Sequence, residues 1–121
     1  MKILILEDSL ERIEFFKRVY RNQNLYIYSD VFDAENTIQF EEIDVFFLDH
    51  DLELFNLAAL DSGKTGYDFV RFLVYQELQK KSVFYIHSCN PVGANLMLNL
   101  LKDNNYQAEW VPFYLMKQTE R

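Results

Sequence analysis

Two apolar runs in the sequence end abruptly in side chains that could do chemistry. The first, which ends at Leu48, is followed by Asp49, His50 and Asp51. The second, which ends at Ile86, is followed by His87, Ser88, Cys89 and Asn90. Both histidines of the chain lie in these two clusters. Since carboxylates can hold a cation and imidazoles can transfer protons near neutral pH, the clusters are the first candidates for a catalytic site.

Two imidazoles on neighbouring strand ends suit acid–base catalysis on a phosphodiester, in which one activates water and the other protonates the leaving alkoxide. We expect His50 and His87 in these roles, with Asp51 orienting a histidine and raising its basicity. Either histidine could instead only hydrogen-bond inside the loop network. If both were metal ligands together with Asp49 or Asp51, a transition metal would be favoured.

The second cluster also contains groups that could bind phosphate. The hydroxyl of Ser88, the amide of Asn90 and the backbone N–H groups after Pro91 would lie at a helix N-terminus, where anions bind. Gly93 would let a ligand approach the backbone. The alternative is that Asn90 only caps this helix, with Pro91 at its first position. Cys89 could be a nucleophile, but we interpret it as a small packing residue.

Acidic residues at the end of the first predicted strand complete the candidate site. Asp8 and Asp49, helped by Glu7, could hold a divalent cation such as Mg²⁺ or Mn²⁺ through oxygen ligands. The alternative is a solvated acidic edge without metal. Because several carboxylates in one place repel each other without a counter-charge, the pattern favours the cation.

The elements that must position these residues alternate between strand and helix, which is typical of a parallel sheet. The predicted strands are Lys2–Leu6, Leu25–Tyr28, Ile43–Leu48, Ser82–Ile86 and Gln107–Val111. The predicted helices are Ser9–Arg21, Val31–Phe40, Gly66–Lys80 and Pro91–Lys102, followed by a short one near the end. The segment Asp51–Thr65 is predicted as a loop with a helical turn near Leu54–Leu60. Polar residues at carboxyl ends of adjacent parallel strands should share one crevice, outside the apolar core.

Length and charge narrow the classes of function. A chain of 121 residues is expected to form one domain, 1–121. Its net charge of −7 argues against a broad nucleic-acid surface, but a phosphate-containing small molecule or an RNA end could bind through a cation. No apolar run is long enough to span a membrane. With a single cysteine and no visible signal peptide, we expect a cytoplasmic protein. The oligomeric state stays open.

Several segments resemble response-regulator receiver domains, which have a flavodoxin-like fold with a five-stranded parallel sheet in the order 2-1-3-4-5 and helices on both faces. Ile3–Ser9 resembles the first strand with its acidic pair, and Asp44–Asp49 resembles the third strand with the phospho-accepting aspartate. The match extends to Thr65–Val70 and Val111–Phe113. The lysine that receivers place near the phosphoryl group is replaced by Val111, and Lys64 in the longer loop could supply that charge instead.

The runs Leu48–Leu52 and His87–Ala94 are similar to a variant receiver family described as cyclic-phosphate-processing. That resemblance implies action on a cyclic phosphate of a nucleotide or an RNA end. The first hypothesis is therefore a metal-dependent phosphoesterase that uses the two histidines. The alternative is a signalling receiver, which is phosphorylated on Asp49 or only binds a partner.

Overall fold

Five parallel strands form one sheet in the computed structural model, which describes residues 1–52 and 64–118. The strands are β1 (Lys2–Leu6), β2 (Asn24–Tyr28), β3 (Val45–Leu48), β4 (Val83–Ile86) and β5 (Gln107–Trp110). The helices are α1 (Leu10–Val19), α2 (Val31–Ile38), α3 (Gly66–Tyr75), α4 (Pro91–Asp103) and α5 (Phe113–Gln118). The sheet order is β2-β1-β3-β4-β5, which confirms the predicted flavodoxin-like topology.

The two faces of the sheet carry separate apolar clusters, because successive side chains of a strand point to opposite sides. On one face, Ile3, Ile5 and Phe47 pack against α1 and α5. On the other face, Leu4 and Leu6 belong to a larger cluster that also contains residues of α2, α3 and α4. The sheet is therefore covered on both sides, as expected for buried parallel strands.

The strand register brings the polar strand ends together. Leu6 is paired with Leu48, and Leu48 is paired with Ile86. The ladder continues for one residue beyond each pair, since the amide of Asp49 donates to the carbonyl of Leu6 (3.1 Å) and the amide of His87 donates to that of Leu48 (3.0 Å). Glu7, Asp49 and His87 consequently lie side by side at the carboxyl edge of the sheet.

Some predicted helix ends differ from the structure. The helix predicted to reach Lys80 ends at Tyr75, because Glu77 (φ 54°) and Gln79 (φ 58°) adopt left-handed backbone conformations that a helix cannot continue through. The first helix ends at Val19 rather than Arg21. The turn predicted near Leu54–Leu60 lies outside the described residues. None of the described helices is long and apolar enough to cross a membrane.

Candidate functional site

An open cleft of about 720 Å³ lies at the carboxyl edge of the sheet, above β1, β3 and β4. Its lining includes most of the predicted site residues together with neighbours from α1: Glu7, Asp8, Ser9, Leu10, Arg12, Asp49, Asp51, Ser88, Cys89 and Asn90. The end of β1 and the strand-end clusters after β3 and β4 therefore do meet at one edge, as the topology predicted.

Glu7 and His87 form a buried hydrogen-bonded pair beneath the cleft. The Nε2–H of His87 donates to Oε1 of Glu7 at 2.8 Å, and the two side chains are 0% and 1% exposed. Oε2 of Glu7 accepts the backbone amides of Asp8 and Ser9, both at 2.9 Å. Although burial acts to raise the pKa of Glu7, its interactions with His87, the Ser9 amide and Arg12 together keep that pKa below its usual range.

Among the carboxylates of the described residues, Asp49 has the most strongly raised pKa. It is only 5% exposed, and Oδ1 accepts the backbone amide of His50 at 2.8 Å. Burial, followed by the negative charge of Glu7, raises the pKa of Asp49 to about 6, against the opposing effects of His87, the His50 amide and Arg12. A carboxylate in this state would gain from a further positive charge nearby.

Arg12 also lines the cleft, although it is not among the site residues predicted from the sequence. Its Nη1 lies 3.6 Å from Oε1 of Glu7 and 3.9 Å from Oδ2 of Asp49, and its guanidinium lies over the ring of Phe113, 4.9 Å from the centroid. The available signal was its place in the first turn of the helix that Ser9 caps, next to the acidic edge. Lys64, by contrast, contacts Glu35 and Phe32 of α2.

His50, Asp51 and Asn90 form a second hydrogen-bonded chain. The Nδ1–H of His50 donates to Oδ1 of Asp51 at 2.8 Å, and Nδ2 of Asn90 donates to Oδ2 of the same carboxylate at 3.3 Å. Asn90 also caps α4, because its Oδ1 accepts the amide of Gly93 at 3.2 Å. The contact between Asp51 and His50 is the kind that orients an imidazole.

The structure does not bring the two imidazoles to one crevice, which differs from our expectation. His87 packs against Phe16 of α1 and Phe113 of α5, at 5.2 and 6.4 Å between ring centroids. His50 lies against Gly93 of α4, on the other side of the sheet. The reason is register: His87 is the first residue after its strand and His50 the second, so their side chains alternate to opposite faces. Nor is His87 outside the core, since it is fully buried.

Gly93 and Ser88, which were predicted to bind phosphate, also have structural roles within the protein. A Cβ at Gly93 would lie 2.5 Å from Cγ of His50, so this glycine makes room for the imidazole. The buried hydroxyl of Ser88 accepts the amide of Asn90 at 3.1 Å, and the indole N–H of Trp110 donates to the Ser88 carbonyl at 2.8 Å. Cys89 is exposed in the cleft, with its Sγ 3.8 Å from Nη2 of Arg12.

The donor atoms that could hold a metal are concentrated around Asp49. Within the described parts of the chain, Glu7, Asp49 and His87 each offer an atom, and these atoms lie within 4.8 Å of one another. Asp8 lines the same cleft without belonging to that group. Two of these three donors are carboxylate oxygens, which fit a hard divalent cation. A cation there would favour the ionised form of Asp49, whose pKa is raised to about 6.

A family model described as "Cyclic-phosphate processing Receiver domain" matches residues 3–103. The chain belongs to this family. The match covers all the candidate site residues described above, and it confirms the resemblance seen in the strand-end motifs. The comparison with curated proteins found no match.

This cyclic-phosphate-processing receiver domain is similar in fold to solved response-regulator receivers. A CheY-like receiver domain from Methylobacillus flagellatus superposes with a TM-score of 0.66 at 17% identity, covering 93% of this chain and 85% of that one. Chemotaxis protein CheY4 from Vibrio cholerae gives 0.63 at 17% identity, covering 97% and 93%. A response regulator from Burkholderia pseudomallei, solved with a phosphorylated aspartic acid, calcium ion and citrate, gives 0.64 at 10% identity, covering 97% and 63%. At these identities the likeness concerns the fold.

Proposed function

We propose that the chain is a receiver-type module that binds a divalent cation in the acidic cleft and accepts a phosphoryl group on Asp49. Asp8 and Asp49 would be the cation ligands, and Mg²⁺ or Mn²⁺ suits their oxygens. Glu7 would support the site from below, because both of its carboxylate oxygens already accept hydrogen bonds.

The position of Asp49 carries this proposal. It directly follows β3, beside the end of β1, and its side chain lines the cleft with one oxygen held by the His50 amide. Oδ2 lies towards Arg12, at 3.9 Å from Nη1. The nucleophile in this reaction would be Oδ2, which forms the bond to phosphorus as the bond to the leaving group breaks. The Burkholderia pseudomallei neighbour, which carries a phosphorylated aspartic acid and a calcium ion, agrees with such a role.

When bound, the cation would draw negative charge away from the oxygens of the transferring phosphoryl group. The protein's own contribution is to hold Asp49 in place through the His50 amide, to bury His87 between Phe16 and Phe113, and to favour the ionised form of Glu7 through His87. Burial, followed by the negative charge of Glu7, raises the pKa of Asp49 to about 6. The cation would reverse this effect and leave the carboxylate ionised at neutral pH.

The second candidate is hydrolysis of a cyclic phosphate on a nucleotide or an RNA end, which the description of the family favours. His50, oriented by Asp51, would be one acid–base group, and Ser88, Asn90 and Gly93 would hold phosphate at the start of α4. His87 would act through Glu7 in this reaction, because its ring is fully buried. This candidate needs His50 to turn towards the cleft.

Incubation of the full chain with acetyl phosphate and Mg²⁺ tests the first candidate. We expect the intact mass to increase by one phosphoryl group, and the modification to be removed by hydroxylamine, as an acyl phosphate is. Asp49→Asn should abolish it. Asp103→Asn makes the same change in charge at an exposed position at the end of α4, and this variant should still be phosphorylated.

The same samples, assayed with 2′,3′- and 3′,5′-cyclic nucleotides, separate the two candidates. If wild type cleaves a cyclic nucleotide, His50→Ala does not, and Asp49 is not phosphorylated, the second candidate is supported and the first is wrong. Labelling without cleavage supports the receiver function. If neither reaction occurs with Mg²⁺ or Mn²⁺, both candidates are wrong.

A further inference from the structure

We propose that Arg12 binds the phosphoryl oxygens of the ligand, in place of the lysine that the chain lacks at position 111. This inference rests on the proposed function, since it names the cationic residue that would hold the anion in that same cleft. Arg12 lines the cleft from the first turn of α1, and its side chain is 26% exposed. It can therefore reach a ligand without leaving its helix.

The guanidinium lies near the carboxylates but is not hydrogen-bonded to them. An Arg–carboxylate pair that serves as a structural tie usually has N···O distances of roughly 2.7–2.9 Å. Here the corresponding distances are 3.6 Å to Glu7 and 3.9 Å to Asp49. The forked N–H groups are thus close to the acidic centre while most of their hydrogen-bonding capacity is not used by these two partners.

An apolar support holds the guanidinium in this position. The ring of Phe113, which is 5% exposed, lies 4.9 Å from Cζ of Arg12. One N–H of Nη2 also donates a hydrogen bond to Sγ of Cys89 at 3.8 Å. Phe113 follows Val111 and Pro112 directly, so the segment that supplies a lysine in receivers supplies an aromatic face here. Stacking on a ring face fixes the plane of a guanidinium and leaves its N–H edge free to donate.

Two roles for Arg12 make opposite predictions. If Arg12 only neutralises the charges of Glu7 and Asp49, a bound cation would take over that role, and the loss of Arg12 would not affect phosphate binding at saturating Mg²⁺. As the anion-binding residue, it is needed when the cation is already present, because Arg forms bidentate hydrogen bonds to phosphate. The difference appears in phosphate binding measured at saturating Mg²⁺.

The experiment uses the full chain and two probes, Mg²⁺ alone and then inorganic phosphate at saturating Mg²⁺. Trp110, the single tryptophan, reports on the cleft through its hydrogen bond to the Ser88 carbonyl, and calorimetry gives an independent affinity. Arg12→Gln and Arg12→Lys are compared with wild type. Lys17→Gln is the matched control, since it removes one positive charge from an exposed position of the same helix.

We expect Arg12→Gln to weaken phosphate binding by about 10- to 100-fold, as the loss of charged hydrogen bonds implies, and to leave Mg²⁺ binding equal or tighter. Arg12→Lys should weaken phosphate binding less, because it keeps the charge but loses the fork. Lys17→Gln should match wild type within about twofold. If Arg12→Gln does not fold, the test rests on Arg12→Lys. The proposal then requires that Arg12→Lys bind phosphate several-fold more weakly than wild type.

Two other results can be told apart. If Arg12→Gln binds phosphate as tightly as wild type in saturating Mg²⁺, Arg12 is only a counter-charge and this inference is overturned, while the proposed function stands. If wild type itself binds neither Mg²⁺ nor phosphate, the proposed function fails and the inference fails with it.

Discussion

The imidazole of His87 donates to Oε1 of Glu7 across 2.8 Å in a place where neither side chain reaches solvent. The pair lies beside Asp49, whose pKa burial and Glu7 raise and His87 lowers, so it sets the charge that this carboxylate experiences. Nδ1 of His87 has no hydrogen-bond partner among the described residues, so Glu7 is the polar contact that fixes the orientation of this ring. The buried ring of His87 therefore has a structural role, which is to hold the carboxylate of Glu7 by a hydrogen bond.

Replacing His87 should destabilise the fold. His87→Phe fills the space between Phe16 and Phe113 but leaves Glu7 buried without its main partner. We expect a loss of about 2–4 kcal/mol in the free energy of unfolding, measured by urea denaturation followed through Trp110. Adding Glu7→Gln should recover part of this loss, because a neutral amide costs less to bury. Equal stability of His87→Phe and wild type would contradict the importance of the pair.

The pKa of Asp49 predicts an unusual pH dependence of stability without divalent cations. That pKa is about 6 in the folded protein against an ordinary 3.8, so the folded state holds the proton more tightly. This contribution is complete below about pH 4 and is lost as the pH rises through 6. Asp49→Asn should therefore be more stable than wild type above pH 6, by on the order of 1–3 kcal/mol, and lose this advantage near pH 4. A difference independent of pH would show that Asp49 titrates normally.

Divalent cations should stabilise wild type and not Asp49→Asn. A cation that binds only the folded state contributes about 1.4 kcal/mol at ten times its Kd, or roughly 3–6 °C in Tm for a domain of this size. Thermal unfolding with Mg²⁺, and with NaCl at matched ionic strength, measures the effect. A shift of the same size in Asp49→Asn would place the cation elsewhere.

The close contact between Gly93 and His50 predicts a coupling between two elements of the site. Gly93→Ala would place a methyl group 2.5 Å from Cγ of His50 and should cost about 1–2 kcal/mol, despite the better helix propensity of alanine. In a His50→Ala background the same substitution should cost little or become favourable. Additive effects of the two substitutions would mean that the imidazole moves aside freely.

Much of the fold could be predicted because each strand is a short apolar run with a polar end, as Val45–Leu48 and Val83–Ile86 show. The early end of α3 could not be predicted, because Glu77 and Gln79 adopt left-handed conformations that glycine or asparagine would normally signal in the sequence. The separation of the histidines could have been inferred once the register of β3 and β4 was known. His50 lies one position further past its strand than His87 does, and such an offset places a side chain on the opposite face of the sheet.

Arg12 was missed for a different reason. Its place in the site depends on how α1 packs on the sheet and on the ring of Phe113, which comes from the other end of the chain. Its place in the first turn of α1 was the one local signal, and the long-range packing that brings it to the site leaves no further pattern in the sequence. The acidic residues Glu7, Asp8 and Asp49 could be predicted to line the cleft because they lie within two residues of the ends of β1 and β3.

A crystal structure grown with Mn²⁺ and beryllium fluoride, with anomalous data at the manganese edge, measures the proposed site most directly. We expect one anomalous peak in the cleft, coordinated by Asp8 and Asp49, with the fluoride group on Oδ2 of Asp49 and within hydrogen-bonding reach of Arg12. A peak coordinated by His50 or His87, or no peak in the cleft at saturating Mn²⁺, would contradict the proposed cation-dependent phosphoryl site.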